Sequence, residues 1–243
     1  ITEDDLNENP LEESYWVEAA ERADSLGVDV INTSLGYTTY DNSNYSYANT
    51  DLNGNTAFIT KGANIAFEKG MLLVVSAGNE ANSGINAPAD SPNVLSIGAV
   101  NMAGEYASFS SVGSAVQPTQ KPDVVAQGKA SSIIGTNDVI GTLDGTSFSA
   151  PIIAGGITCL WQALPNKTNA EIMQLVRESA SQYNAPDFFL GYGIPDLSLA
   201  LAQGLSVSEF QDENVTLKLY PNPVSNQLTI QIPSQYEEAR VRL

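Results

Sequence analysis

Apolar residues recur along the chain in two patterns. The first is a short, nearly continuous apolar run ending in small or polar residues: "VDVINTSLG" at 28–36, "MLLVVSAGN" at 71–79, "PNVLSIGAV" at 92–100 and the shorter "KPDVVAQG" at 121–128. Runs of this kind lack the in–out alternation of a half-exposed strand, and they fit strands covered on both faces. The second pattern places apolar residues at steps of three and four. In 10–26 these are Tyr15, Ala19, Ala23 and Leu26, with Gly27 as the stop. Further helices are predicted over 57–69, 146–163 and 166–180, the last with Thr168 and Glu171 spaced as a capping box. A short helix opened by Pro195 follows.

Strands that alternate with helices predict an α/β fold: a mostly parallel sheet with helices on both faces. Between the first strand and the second helix, 37–56 is polar and rich in Asn and Tyr, and is expected to be an ordered surface loop. The pattern changes after residue 205. Residues 206–215 are polar and acidic and read as a linker. Within 216–243, Leu228, Ile230 and Ile232 alternate with Thr229 and Gln231 behind a Tyr-Pro-Asn-Pro turn, which is β periodicity. That segment is too short to hold an independent β domain without staples. The pattern is still running at Leu243 and the chain opens on Ile1, so the sequence is expected to be a piece of a longer polypeptide, cut at both ends.

Composition narrows the function classes. Of 243 residues, 42% are hydrophobic and 16% charged, which is globular rather than disordered or coiled-coil. A net charge of −18 argues against nucleic acid and anionic lipid as partners. No apolar stretch reaches the length of a membrane span. The single cysteine, Cys159, excludes an internal disulfide and reads as a small buried hydrophobe.

Candidate chemistry sits where the strands end and one helix begins, since ligands of open α/β sheets bind beyond the carboxyl ends of the strands. Ser34-Leu35-Gly36 ends one strand, Ala77-Gly78-Asn79 ends another, and Ser147 opens the apolar helix. A serine there lies beside unsatisfied backbone N–H groups and a positive dipole end, which suit an oxyanion. Taken alone, "GTS" before a helix favours a plain cap, and Gly-Asn is ordinary turn chemistry. A nucleophile elbow would need a second glycine at the Ser149 position, and a zinc hydrolase would need clustered His or Cys. "DLNGN" at 51–55 carries oxygen ligands but has glycine fourth, not sixth as in an EF-hand loop, and reads as a solvated turn.

In order, "INTSLGY", "VVSAGNE", "NVLSIGAV", "ASFSSVG", "KPDVVAQG" and "DGTSFSAP" resemble the later two-thirds of a subtilisin-like serine protease, over about residues 12–205. The resemblance implies that Ser147 is the nucleophile and that Asn79 donates to the oxyanion together with the Ser147 N–H. It implies that Ser34, Leu35 and Gly36 form one wall of the primary specificity pocket and pair with substrate, and that Ala77 and Gly78 form the facing wall. The two walls leave floor and rim undefined, and a large apolar substrate side chain is the working expectation. Protein or peptide substrates are implied, with no cofactor required. A structural calcium ion belongs to the same expectation, with no site assigned.

Such a serine needs a base. The chain contains no histidine. The subtilisin arrangement runs aspartate, histidine, serine along the chain, so both partners are expected upstream of Ile1. A sedolisin-type acid peptidase uses a glutamate base, but it carries an aspartate where Asn79 stands. A non-catalytic peptide-binding or cell-surface module of the same fold stays open. Finally, "LYPNPVSNQLTIQI" resembles the start of the C-terminal sorting domain of type IX-secreted proteins. That resemblance implies a secreted or cell-surface protein recognised by outer-membrane secretion machinery.

Overall fold

The continuous apolar runs pair side by side, and the stepped segments pack as helices on the two faces they create. In a computed structural model, residues 7–135 and 138–205 are described, together with strands at 218–220 and 229–231. Strands β1 (Val30–Thr33), β2 (Leu72–Ser76), β3 (Leu95–Val100) and β4 (Val124–Gln127) form a parallel sheet in that order. The registers include Asn32↔Val74, Ser76↔Ile97 and Ala99↔Ala126. On one face lie helices α1 (Leu11–Ser25) and α2 (Phe58–Glu68); on the other lie α3 (Thr146–Ala163), α4 (Asn169–Glu178) and α5 (Leu197–Leu205). This is the α/β architecture that the sequence pattern predicts.

The sheet explains why its strands carry unbroken apolar runs. Every residue of β2 is buried: Leu73 and Val75 join the α1–α2 core, while Leu72 and Val74 join the α3–α5 core. Each such side chain contributes about 1.5–3 kcal/mol through burial. β1 departs from the expectation of a buried strand. Val30 and Ile31 are only half-buried and Asn32 is exposed, because β1 forms one edge of the described sheet. The opposite edge is covered, since Val125 N–H donates to the Gly193 carbonyl and Tyr192 N–H to that of Asp123.

Helix α1 turns a different face inward from the one its apolar spacing suggests. Tyr15 and Leu26 are exposed, whereas Glu13, Trp16 and Ala20 are buried. The cause is the Glu13 carboxylate: Oε1 accepts from the hydroxyls of Tyr40 and Tyr47, and Oε2 from Ile59 N–H at 2.7 Å, in the first turn of α2. Burial, with Glu13 adding to it, pushes the Tyr47 hydroxyl up to about 12. The same contacts anchor the 37–56 loop, where Tyr37, Tyr40 and Leu52 are buried. In "DLNGN", Asp51 Oδ2 accepts from Ala48 N–H and Asn53 Oδ1 from Asn55 N–H. This segment is a turn pinned to the core by Leu52, with Asp51 Oδ2 and Asn53 Oδ1 bonded within it.

Helix α3 is apolar nearly throughout, yet Ile152 and Cys159 are exposed. Cys159 is therefore not the buried hydrophobe its neighbours suggest: it lies on the side of α3 turned away from the sheet, while Ile153, Ile157 and Leu160 take the core positions. A further element that the periodicity did not mark is the antiparallel hairpin of β5 (Ser131–Ile134) and β6 (Ile140–Leu143), where exposed Ile134 pairs with exposed Ile140.

By its contacts the chain divides into two units, Ile1–Leu205 and Ser206–Leu243. In the second, β7 (Lys218–Tyr220) pairs antiparallel with β8 (Thr229–Gln231). The linker 206–215, the Pro-Asn-Pro turn residues, Leu228 and Ile232 lie outside the described residues. No helix among the described residues is long and apolar enough to cross a membrane.

One buried ion cluster fixes β4. Asp123 Oδ2 accepts from Lys121 Nζ at 2.8 Å and from Ser96 N–H, and Oδ1 lies 2.6 Å from an Arg177 guanidinium nitrogen on α4. Burial alone would raise the Asp123 carboxyl, but Arg177 and Lys121 overcome it and hold the carboxyl below its ordinary value of 3.8. Asp123→Ala strands a buried ammonium and is expected to lower the unfolding free energy by about 3–5 kcal/mol in urea titrations. Because the folded-state value is depressed, the stabilisation by Asp123 is complete above its unfolded value and is lost as pH falls through the folded one. Asp123→Asn should flatten that part of an acid-unfolding profile.

Candidate active site

The end of β2 and the start of α3 meet at Thr146, a fully buried residue. Its N–H donates to Asn79 Oδ1 at 2.9 Å. Its hydroxyl accepts from Gly78 N–H at 3.2 Å, and the hydroxyl proton faces both the Gly78 carbonyl and Asn79 Oδ1. Gly145, the residue before the helix, has φ 152° and supplies no side-chain cap, so the amide oxygen of Asn79 caps α3 from another strand.

This capping has a chemical consequence. With Oδ1 anchored, the Asn79 Nδ2 group is turned toward Gly145, near the position a Cβ would occupy there. Asn79 itself is exposed, and Nδ2 has no acceptor among the described residues. Ser147 is the second residue of α3 and half-buried, and its N–H likewise has no acceptor among the described residues. Two free N–H donors at a helix N-terminus beside a serine hydroxyl form a site suited to a developing oxyanion.

The Ser147 hydroxyl donates to the Ser34 carbonyl at 3.2 Å, and the Ser34 hydroxyl donates back to the Ser147 carbonyl at 3.1 Å. These bonds join the end of β1 to α3. A peptide carbonyl orients the hydroxyl but cannot remove its proton. Beyond Ser34, Leu35 and Gly36 make no main-chain hydrogen bonds among the described residues, which leaves a short extended edge free. Ala77 and Gly78, by contrast, are internally satisfied: Ala77 N–H bonds to Ile97 and the Gly78 carbonyl accepts from Ser111 N–H. The structure thus brings Ser34, Gly78, Asn79 and Ser147 together through Thr146 and the Ser34–Ser147 pair. Leu35 instead packs toward the α1–α2 core. It also borders a cavity of about 330 Å³ that Trp16, Ser34 and Tyr37 help to line.

From sequence alone Thr146 carries no more than a capping role. Its signal was the very turn "GTS", but its role needs the neighbouring strand end to be known. Asp144 accepts from Ala130 N–H and Asp123 belongs to the ion cluster, so both serve the framework. Among the described residues no group of three or more His, Cys, Asp or Glu is gathered that could hold a metal ion, and Asp51 Oδ2 and Asn53 Oδ1 bond within their own turn.

Comparison with known proteins gives a consistent set of relatives. The model of the Subtilase family matches residues 4–193. Subtilisin of Bacillus pumilus is 32% identical over 191 residues, 77% of this chain and 62% of that protein. Subtilisin E of Bacillus subtilis (strain 168) is 31% identical over 77% of this chain and 44% of its own length. The chain therefore spans less than two thirds of these relatives. Among solved structures, the prenylagaramide maturation protease PagA superposes with a TM-score of 0.66 at 25% identity, covering 84% of this chain and 70% of that one. MycP1 from Mycobacterium smegmatis, at 22% identity, shares the fold with a TM-score of 0.61 over 78% of this chain and 54% of that one.

Thr146→Val keeps the shape and removes the hydroxyl, leaving the buried Gly78 N–H without its acceptor. The expected cost is about 1–3 kcal/mol of unfolding free energy. Thr146→Ser, which keeps the hydroxyl, should recover most of it in the same denaturant titration; equal losses in both would assign the effect to packing.

Proposed function

The chain belongs to the subtilase family, and on that premise we propose that it carries the nucleophile and oxyanion hole of a serine endopeptidase. The observation that supports this most is the junction at Thr146, which leaves two unpaired N–H donors beside the Ser147 hydroxyl. A substrate strand lies along Leu35 and Gly36. Ser147 Oγ attacks the peptide carbonyl carbon, a C–O bond forms, and the carbonyl electron pair moves onto oxygen, where Asn79 Nδ2 and Ser147 N–H receive it. Collapse of that intermediate breaks the C–N bond, and the amine leaves with the proton first taken from Ser147. Water then hydrolyses the acyl-serine by the same steps in reverse order.

The proton must pass through a base, and these residues contain no histidine. The reading therefore takes the histidine and its orienting aspartate from outside the 243 residues, in keeping with the greater length of the relatives. Asn79 is a donor at any pH and gives no support to the acid-peptidase alternative. The lack of histidine does favour one other reading, a non-catalytic peptide-binding or cell-surface module of the same fold. The resemblance of 216–243 to a type IX sorting domain supports a secreted or cell-surface location and recognition by outer-membrane machinery.

The full product of the natural gene should react at Ser147 with a fluorophosphonate probe, one label per chain by mass spectrometry, and Ser147→Ala should abolish both labelling and peptide cleavage. Absence of labelling in the folded protein would favour the binding module. Asn79→Ala should lower kcat by about 10²–10³-fold with little change in KM, as expected for a donor that acts on the oxyanion rather than on bound substrate.

A further inference from the structure

Two buried glutamates open helix α1, and they are treated differently. The Glu13 carboxylate is taken up by Tyr40, Tyr47 and Ile59. Glu12, 6% exposed, has a buried Oε2 with no hydrogen-bond partner among the described residues. It belongs to none of their ion pairs. A buried carboxylate left unpaired is costly, because it has given up water and gained nothing in return. Its place in the first turn of α1 sets it near the positive end of the helix dipole, which offsets part of that cost.

Glu12 lines the cavity of about 330 Å³ between α1 and β1, and it is the one charged residue among the described residues that do so. Two of the polar groups there are already paired. The Trp16 indole N–H donates to the Thr33 hydroxyl at 3.1 Å, and the Asn32 amide donates to the Ser34 hydroxyl at 3.0 Å. Trp16, Ile31 and Leu35 supply apolar wall. A single carboxylate among aromatic and aliphatic walls suits a cation on an aliphatic stem. The cavity extends along β1 from Ile31 to Ser34, and β1 is the strand that leaves an edge unpaired among the described residues. Of the free edge at Leu35 and Gly36, where substrate is proposed to lie, only Leu35 borders it.

We propose that this cavity is the socket for a lysine or arginine side chain of the same polypeptide, from outside the 243 residues, and that Glu12 pairs with it. Residues 1–6 contain no Lys or Arg, and the greater length of the subtilisin relatives supports a source elsewhere in the polypeptide. The ion pair fastens that segment beside Ser34, whose carbonyl holds the Ser147 hydroxyl. The inference draws on the same further polypeptide as the peptidase reading, but it does not need Ser147 to act as a nucleophile.

The test uses the full product of the natural gene. A crystal structure of its Ser147→Ala form is expected to show a Lys or Arg nitrogen from outside residues 1–243 within about 4 Å of the Glu12 carboxylate. Water or an apolar side chain there, or Lys218, Arg240 or Arg242 of the tail, would overturn the proposal. Urea unfolding gives a second reading that turns on sign. Glu12→Gln keeps the shape and removes the charge. With the pair present it strands a buried cation, and the unfolding constant should rise about 10²-fold or more. An unchanged or lower constant means an unpaired carboxylate was relieved, and the pairing is wrong. Changing the identified cation to Gln as well should recover part of the loss, and a further loss counts against the pair. Should Glu12→Gln not fold, the crystal structure decides. A variant with unchanged urea midpoint that loses kcat/KM only on peptides carrying Lys or Arg would hand the socket to substrate and sink the proposal. Fluorophosphonate labelling of Ser147 is scored separately, so a folded protein that fails to label overturns the peptidase reading and not the socket.

Discussion

Everything at the candidate site depends on one buried hydroxyl and one amide oxygen. Helix α3 begins at a glycine that cannot cap it, and its first N–H is taken up by Asn79 Oδ1 from the end of β2. The Thr146 hydroxyl closes the same junction from the other side by accepting Gly78 N–H. An amide has two ends, so anchoring the oxygen decides where the nitrogen goes. The capping contact that holds strand to helix therefore also sets the direction of the Asn79 Nδ2 group, the donor of the proposed oxyanion site. Structure and chemistry use the same few atoms.

The same device appears on the opposite face of the sheet with a different residue. Helix α2 lacks a side-chain cap of its own, and the Glu13 carboxylate of α1 accepts Ile59 N–H in its first turn. There the consequence is mechanical: the carboxylate also gathers the Tyr40 and Tyr47 hydroxyls and fixes the long loop that leads back to the strand ends. By contrast α4 closes its own N-terminus, with Thr168 and Glu171 bonding reciprocally, and α5 does so through Asp196 Oδ1, which accepts from Ser198 and Leu199 N–H. The ends of α2 and α3 are thus capped by residues of other elements, whereas α4 and α5 are capped by the residue just before them. The Lys121–Asp123–Arg177 cluster adds a third tie, from the start of β4 to α4.

These ties bear on catalysis because a serine hydroxyl is reactive only when its surroundings are already arranged. For the proposed reaction, two unpaired N–H donors and the free main chain of Leu35 and Gly36 are in place, and the Ser147 hydroxyl is held by the Ser34 carbonyl, which is no base. The proposed reaction is thus divided between what stabilises the developing negative charge and what moves the proton. In the proposed reading the first part lies at the end of β2 and the start of α3, and the second is supplied by a base from outside the 243 residues.

The layers, the parallel sheet and the start of α3 follow from the local pattern of residues. Buried strands need unbroken apolar runs and helices need stepped ones, and both are written in neighbouring residues. That pattern also marks Ser34, Gly78, Asn79 and Ser147, because strand ends and helix starts carry small polar residues at short range. The tertiary structure alone decided which face of α1 goes inward, since a buried Glu13 is stabilised by partners 27, 34 and 46 residues away. It decided that Cys159 faces away from the sheet, because an all-apolar helix gives no sign of which side its neighbours cover. It decided, too, that Thr146 holds the amide oxygen of Asn79. Local spacing cannot encode contacts between segments that only the sheet brings together.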